Sequence, residues 1–519
     1  MKARLTRPSQ PERGIPVGPS APGPAPSPAA GPAGAVSPSK YAELSPHFVT
    51  LDPVTRIEGH LKIKVQLELV GNQHQVVNAW STGTLFRGAE QILVNRHPWD
   101  AIPITQRICG VCPVSHGLAA AKALDAAAGV SIPTNARILR NLVLGANYVQ
   151  SHILHFYHLA ALDYITGPDM APWQPAWNVD LRVDAETTAT LIQHYLTALA
   201  MRRKAHEVGA IFGGRMPAPP AYVPGGFTNT VTASAKNNAA TRLADLVDFI
   251  QSTYIPDVQA LGAIYDDYFE IGRGPGNLLS YGVFDLNASG SQRLLARGRV
   301  ENESTTVQTV DVSAISEDVR RSWYADSTSG LPPAAGQTTP QYPKAGAYSW
   351  LKAPRYAGAP YEVGALARMW VNGDYREGVS VMDRHVARAL EALKVAQAMQ
   401  TWVGQLQVGA AVYTPNSVPA SATSYGLTEA PRGALGHWLQ VTSSVISRYQ
   451  VVTPTCWNAS PRDDDGQRGP IEQALIGTPV EDPEQPLEVL RVIHSFDPCL
   501  SCAVHVLRAD SDAGVIVRG

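Results

Sequence analysis

Four of the five cysteines in this chain stand in two Cys-x-x-Cys pairs, Cys109/Cys112 and Cys499/Cys502. Two intervening residues let both sulfurs of a tight turn point at one ion, so each pair is a bidentate thiolate clamp. One such pair is equally compatible with half a zinc site, a redox couple or chance. Two could meet on one metal. A structural four-thiolate zinc site is the plain alternative, but zinc knuckles usually sit a few dozen residues apart in small domains, and these pairs are separated by nearly the whole chain. Closing so long a loop costs only logarithmically more, so distance does not forbid a shared site. A thioredoxin-like exchange site would use one pair and leave the other unexplained. Pro113 follows Cys112 and leads into the helix-forming run 117–124. This places the first clamp at a helix N-terminus, where the dipole and free N–H groups favour thiolate over thiol.

The elements that must bring the clamps together are mostly helices. Alternation and β-branched content predict strands over 47–51, 61–67 and 76–80. Apolar periodicity predicts long helices over 135–165, 185–212, 235–268 (with a break at Pro256) and 381–408, and a final helix over 437–448. Residues 278–341 are an irregular, strand-rich stretch, and Pro- and Gly-rich loops return after Tyr413. No internal repeat is visible. The expected fold is mixed and predominantly α: a large core of long helices with small peripheral β-sheets. Length alone would suggest about three domains, but linker signals inside 46–505 are poor, so that span is expected to be a single large domain. Residues 1–45 are dominated by Pro, Ala, Gly and Ser and are read as a disordered leader.

Composition excludes several functions. The 519 residues hold 42 Lys and Arg against 44 Asp and Glu, so no basic excess points to nucleic acid or an anionic membrane. The cysteines do not form a secreted disulfide framework, and a reducing compartment suits thiolates kept for a metal. The leader lacks an apolar h-region, so it is not read as a secretory signal. Residues 141–161 carry no formal charge but include Asn147, Gln150, Ser151, His152, His155 and His158, which favours a buried helix over a membrane span. The three histidines mimic a metal row at helical spacing; polar lining of a buried helix is the preferred reading.

The neighbours of the clamps narrow the choice. Arg107-Ile108-Cys109-Gly110-Val111-Cys112-Pro113-Val114-Ser115-His116 and Asp497-Pro498-Cys499-Leu500-Ser501-Cys502-Ala503-Val504-His505 closely resemble the two nickel-binding signatures of nickel–iron hydrogenase large subunits. The resemblance extends to Asp52-Pro53-Val54-Thr55-Arg56-Ile57-Glu58-Gly59-His60, Thr84-Leu85-Phe86-Arg87-Gly88-Ala89-Glu90, Ala430-Pro431-Arg432-Gly433-Ala434-Leu435, and Trp457-Asn458 followed by Pro461-Arg462-Asp463. It implies an uptake-type enzyme that splits dihydrogen heterolytically. Cys109 and Cys499 would bind nickel alone, while Cys112 and Cys502 would bridge to an iron carrying carbon monoxide and cyanide. Cys499 would take the proton as thiolate base and Glu58 would carry it away, though a glutamate at a strand edge can also be an ordinary surface carboxylate. Arg432 would stand over the open metal position, oriented by Asp497 through a bidentate pair; a purely structural ion pair is the other reading. His116, one turn after Cys112, would hydrogen-bond a bridging thiolate, the alternative being a helix-cap histidine. Glu90 and His505 would bind a magnesium ion, joined by a main-chain carbonyl near Asn458.

The resemblance also implies partners. No cysteines remain for iron–sulfur clusters, so electrons would leave through an iron–sulfur small subunit to an acceptor, in an oligomer of heterodimers. The chain would be cytoplasmic or membrane-associated through partners. Residues 506–519 follow the histidine at which the family's maturation protease cuts, so this tail is expected to be removed after nickel-insertion factors load the site. Three departures stand out: Ser151 where many members have aspartate, Ala218 in place of a histidine, and Cys456 in place of threonine. A dihydrogen sensor shares the active site but often lacks the tail; a related quinone-site subunit lacks the cysteines.

Overall fold

The computed structural model describes residues 47–174 and 176–500. Three strands open it: β1 (His47–Leu51), β2 (Leu61–Val70) and β3 (Gln73–Gly83). Along β2 the alternating Leu61, Ile63, Val65 and Leu67 are buried, while the residues between them are not, as a sheet with one covered face requires. The short helix α1 (Ala89–Leu93) and helix α2 (Pro113–Ala128) follow. Next comes α3 (Thr134–Leu154), which continues through a π-helical stretch at His155–Ala160. The predicted 135–165 helix therefore exists, with a wider turn inside it. It is buried on nearly every side, which is how a helix at the centre of a large core behaves.

Helices α4 (Ala185–Gly213), α5 (Ala233–Phe249) and α6 (Ile255–Ile264) come next. The predicted break at Pro256 falls earlier, at a π-helical stretch over Ile250–Tyr254; Pro256 sits in the first turn of α6, where its missing N–H costs nothing. The strand-rich excursion contains the antiparallel pair β4 (Leu278–Asp285) and β5 (Arg293–Val300). Helices α7 (Ala365–Asn372) and α8 (Val381–Gln405) return to the core, where α3 packs against both α4 and α8. A capping box of Ser380 with Asp383 starts α8.

The predicted helix over 437–448 is wrong. That region belongs to an antiparallel meander of β6 (Ala422–Ala430), β7 (Gly433–Thr442) and β8 (Val445–Val452). Thr442 pairs with Val445, leaving Ser443-Ser444 as a two-residue turn with both φ values positive. Such a turn matches strand twist, but Ser-Ser carries none of the Asn-Gly or Asp-Gly signal that would reveal it. Strand β9 (Pro479–Val480) joins β3 to complete a sheet ordered β1-β2-β3-β9. Helix α9 (Leu487–Ser495) then delivers the chain to the second clamp. No helix among the described residues is long and apolar enough to cross a membrane.

Candidate metal centre

Cys112 is the N-cap of α2, with Pro113 in its first turn. The backbone N–H groups of Val111 and Cys112 both donate to Cys109 Sγ, at 3.2 Å each. The turn therefore supplies the N–H groups that stabilise a thiolate. Cys499 Sγ lies 3.2 Å from Cys109 Sγ, and the sulfurs of Cys109, Cys112 and Cys499 all lie within 4.8 Å of one another, fully buried. The two ends of the chain thus meet. Cys502 and His505 lie outside the described residues, as do the leader and the tail.

The Glu58 loop holds the second clamp by its backbone. Leu500 N–H donates to the Glu58 carbonyl at 2.6 Å, and Glu58 and Cys499 form a parallel bridge. This sets Glu58 Oε2 3.4 Å from Cys499 Sγ, with Oε1 3.4 Å from the Gly110 N–H. An ion network behind the loop fixes the approach. Arg56 bonds Asp163 and the Leu159 carbonyl, and Asp163 Oδ2 lies 2.5 Å from His494 Nδ1. His494 Nε2 lies 2.9 Å from the Thr55 carbonyl. Burial alone would raise the Asp163 carboxyl, but Arg56 and His494 outweigh it and hold it at about 2. The network therefore ties the Glu58 loop to α9, one turn before the second clamp.

Arg432 occupies the tip of a hairpin. Ala430 pairs with Gly433, so Pro431 and Arg432 form the turn between β6 and β7. Arg368 clamps this turn from α7, donating to the carbonyls of Ala430 and Pro431 while pairing with Glu391 and Glu429. Tyr148 adds a third bond, to the Ala430 carbonyl. Arg432 Nη2 then meets Asp497 Oδ1 at 2.9 Å, a single bond in place of the expected bidentate pair, leaving Nε and Nη1 buried without partners among the described residues. Burial works against its charge, but Asp497 and then Cys499, Cys112 and Cys109 more than compensate, raising its pKa well above the usual value. Asp497 itself adopts a positive φ of 54° to aim at it.

His116 is fully buried, with Nδ1 3.1 Å from His437 Nε2 and Nε2 without a partner among the described residues. Burial draws its pKa down to about 4, with Cys109 opposing and Arg87 assisting. The histidines of the apparent metal row each have another partner: His152 bonds Glu391, His155 the His494 carbonyl and His158 the Tyr195 carbonyl. The Ser151 hydroxyl is buried and has no partner among the described residues. Glu90 lines a cavity of about 40 Å³ with Glu317, Tyr324, Lys352 and Cys456. Its oxygens accept from Val451 N–H at 2.8 Å and from Thr338. Burial foremost pushes the Cys456 thiol up to about 12, so it stays protonated.

Sequence reasoning missed Arg368, Asp163, His437 and Tyr449. Arg368 and Asp163 carry no local motif, and their role exists only through contacts made far along the chain. Buried His437 stands in a segment misread as helix, which concealed that it faces α2. Outside Cys109, an open groove of about 470 Å³ runs past Arg107, Gly110, Arg215 and Ala218.

Soft, mutually close sulfurs with N–H support, beside unmet cationic donors, fit a thiolate-bound transition-metal centre. The profile described as "Nickel-dependent hydrogenase" matches residues 87–171, 166–378 and 371–505, and a "HoxL-like" profile matches 48–77. The chain belongs to the nickel-dependent hydrogenase family and is a hydrogenase large subunit. It is 44% identical to the periplasmic [NiFeSe] hydrogenase large subunit of Desulfomicrobium baculatum, over 91% of this chain and 97% of that one. It is 35% identical to the uptake hydrogenase large subunit of Bradyrhizobium diazoefficiens, over 89% and 96%. The solved Ni-Fe-Se hydrogenase from D. vulgaris Hildenborough superimposes with a TM-score of 0.85 at 44% identity, covering 88% of this chain and all of that chain.

Proposed function

We propose that this chain is the catalytic subunit of an uptake hydrogenase, oxidising dihydrogen at a nickel–iron centre held by Cys109, Cys112, Cys499 and Cys502. When bound, that centre supplies the heterolytic cleavage of dihydrogen. Both pairs in this chain are cysteine throughout, so the protein ligands are all sulfur, whatever selenium the similar enzymes hold. Cys109, Cys112, Cys499 and Cys502 would together hold the nickel and the iron, and the iron would carry carbon monoxide and cyanide.

One observation carries the reading: Glu58 Oε2 stands 3.4 Å from Cys499 Sγ. A structural zinc site needs no proton acceptor beside a ligand sulfur. Here Cys499 takes the proton as a thiolate and passes it to Glu58, which the Gly110 N–H helps hold in reach. Arg432 remains cationic in the field of the cysteine sulfurs, with Nε and Nη1 unpartnered among the described residues. In this water-excluded setting a fixed charge acts without reorganisation cost. Asp497 aims it, and Arg368 fixes the turn that carries it.

Electrons leave toward the groove over Cys109, which would receive an iron–sulfur small subunit; such heterodimers would associate further and pass electrons to an acceptor. Glu90 and His505 would hold a magnesium ion, and carboxylate oxygen suits a hard cation. Glu90 fits this role through the small polar cavity it lines. Residues 506–519 would be cut off by a maturation protease after nickel-insertion factors act. The family match ending at residue 505 supports this. The assembly would sit in the cytoplasm or on a membrane through its partners.

The test is turnover. Co-purified with its small subunit, the protein is expected to contain nickel and iron, to show infrared bands of carbon monoxide and cyanide, and to reduce an artificial acceptor under dihydrogen. Zinc with no turnover would defeat the proposal.

A further inference from the structure

His116, His437 and Tyr449 form one buried row. His116 Nδ1 lies 3.1 Å from His437 Nε2, and His437 Nδ1 lies 2.7 Å from the Tyr449 hydroxyl. The rings come from three elements: His116 from α2, His437 from β7 and Tyr449 from β8. All three side chains are essentially inaccessible to water. Burial keeps both imidazoles neutral, drawing His437, like His116, well below its ordinary value. Burial also raises the Tyr449 phenol, so it keeps its proton.

A neutral imidazole has one N–H and one lone pair, so the row has two possible directions. In the first, the Tyr449 hydroxyl donates to His437 Nδ1, and His437 Nε2–H donates to His116 Nδ1. His116 is then protonated on Nε2. In the second, every bond reverses: His116 donates to His437, which donates to the phenol oxygen. The phenol proton then has no acceptor among the described residues, and His116 Nε2 becomes a bare lone pair. Stranding a buried polar group costs about 1–3 kcal/mol. The negative charge of Cys109 also acts on the His116 ring, which favours an N–H over a bare lone pair on the nitrogen turned away from His437. Both effects favour the first direction.

We infer that Tyr449 and His437 are positioning residues that fix His116 as the Nε2–H tautomer, the form able to donate to a metal-bound thiolate once the centre is in place. The inference rests on the nickel–iron reading above and adds the two residues that set its direction. A histidine bound to a metal site commonly has its tautomer chosen by the bond its other nitrogen makes; here a donor beside the ligand sulfur is set the same way. A hydrogen bond to a thiolate withdraws electron density from it, so the row tunes the nickel potential without touching the metal.

The experiment is a redox titration of the nickel electron-paramagnetic-resonance signal in the purified complex with its small subunit, with nickel content measured on each sample. His437→Leu is expected to shift the potential to more negative values and alter the signal. Tyr449→Phe should shift it in the same direction by less. His437→Gln should lie nearer wild type, because its amide oxygen accepts the phenol proton and its NH₂ donates to His116. Nickel-replete Tyr449→Phe with wild-type signal and potential would overturn the inference, and it decides the matter if His437→Leu fails to fold or load. Wild-type protein holding zinc in place of nickel would overturn the proposed function and this inference with it.

Discussion

The sulfur cluster and the Glu90 cavity are built on opposite terms. Around Cys109, Cys112 and Cys499 the buried donors exceed their partners among the described residues: two nitrogens of Arg432 and one of His116 have none there. Around Glu90 the polar groups are already matched. Glu90 has Val451 and Thr338, and the buried Lys352 has Glu317 at 3.2 Å and Gln450 at 2.9 Å. Buried donors left unmet are costly, so the first region is shaped for negative charge borne by bound metal and sulfur. The second is already hydrogen-bonded and has room, at about 40 Å³, for little more than an ion or a water. The first site is therefore expected to govern chemistry and the second to govern the fold.

Cysteine replacement tests that division most strongly. Cys112→Ser puts a hard oxygen where a soft sulfur is needed, and is expected to abolish nickel binding and turnover together. Glu90→Gln, by contrast, should leave nickel in place and lower the melting temperature, a difference that magnesium chelation in the wild type should reproduce. Nickel lost equally from both variants would erase the distinction. Glu58→Gln should retain full nickel but slow dihydrogen oxidation by ~10²–10⁴-fold, the usual worth of a positioned proton acceptor. Hydrogen–deuterium exchange under dihydrogen would read the same defect. Arg432→Lys keeps the charge but loses the planar fork, and is expected to cost ~10²-fold in turnover with normal metal content.

The smallest effect sets the background for these comparisons. Glu472 lines neither site and is buried, accepting from Ser81 N–H and the Tyr348 hydroxyl. Burial raises its pKa from 4.5 to about 7, against the pull of those bonds. A group raised in the folded state binds more protons folded than unfolded. Its share of stability is full below the ordinary carboxyl value and is lost as pH rises through about 7. Melting temperature should therefore decline across that window, and Glu472→Gln should flatten the decline.

How much was legible beforehand follows from where the information sits. The clamps, Glu58 and Arg432 lie in contiguous motifs, so their residues could be named without coordinates. Strands β1 to β3 and the long helices announced themselves by period. The supporting residues did not. Arg368 holds the Arg432 turn from α7, and Asp163 bridges Arg56 to His494 across most of the chain; such partners share no spacing. Strands β7 and β8 were mistaken for a helix because a Ser-Ser turn gives no warning. With that error the His437–Tyr449 row was invisible, since a helix would have sent the two side chains to unrelated faces.

The central claim is that soft sulfurs at this site hold nickel beside a working proton acceptor. Nickel-edge X-ray absorption of the purified complex, taken alongside its metal content, tests it most directly. Nickel and iron in equal amounts, with the nickel surrounded by sulfur, is the predicted result. Nickel bound mainly by nitrogen or oxygen, or zinc filling the four-sulfur site, would contradict it.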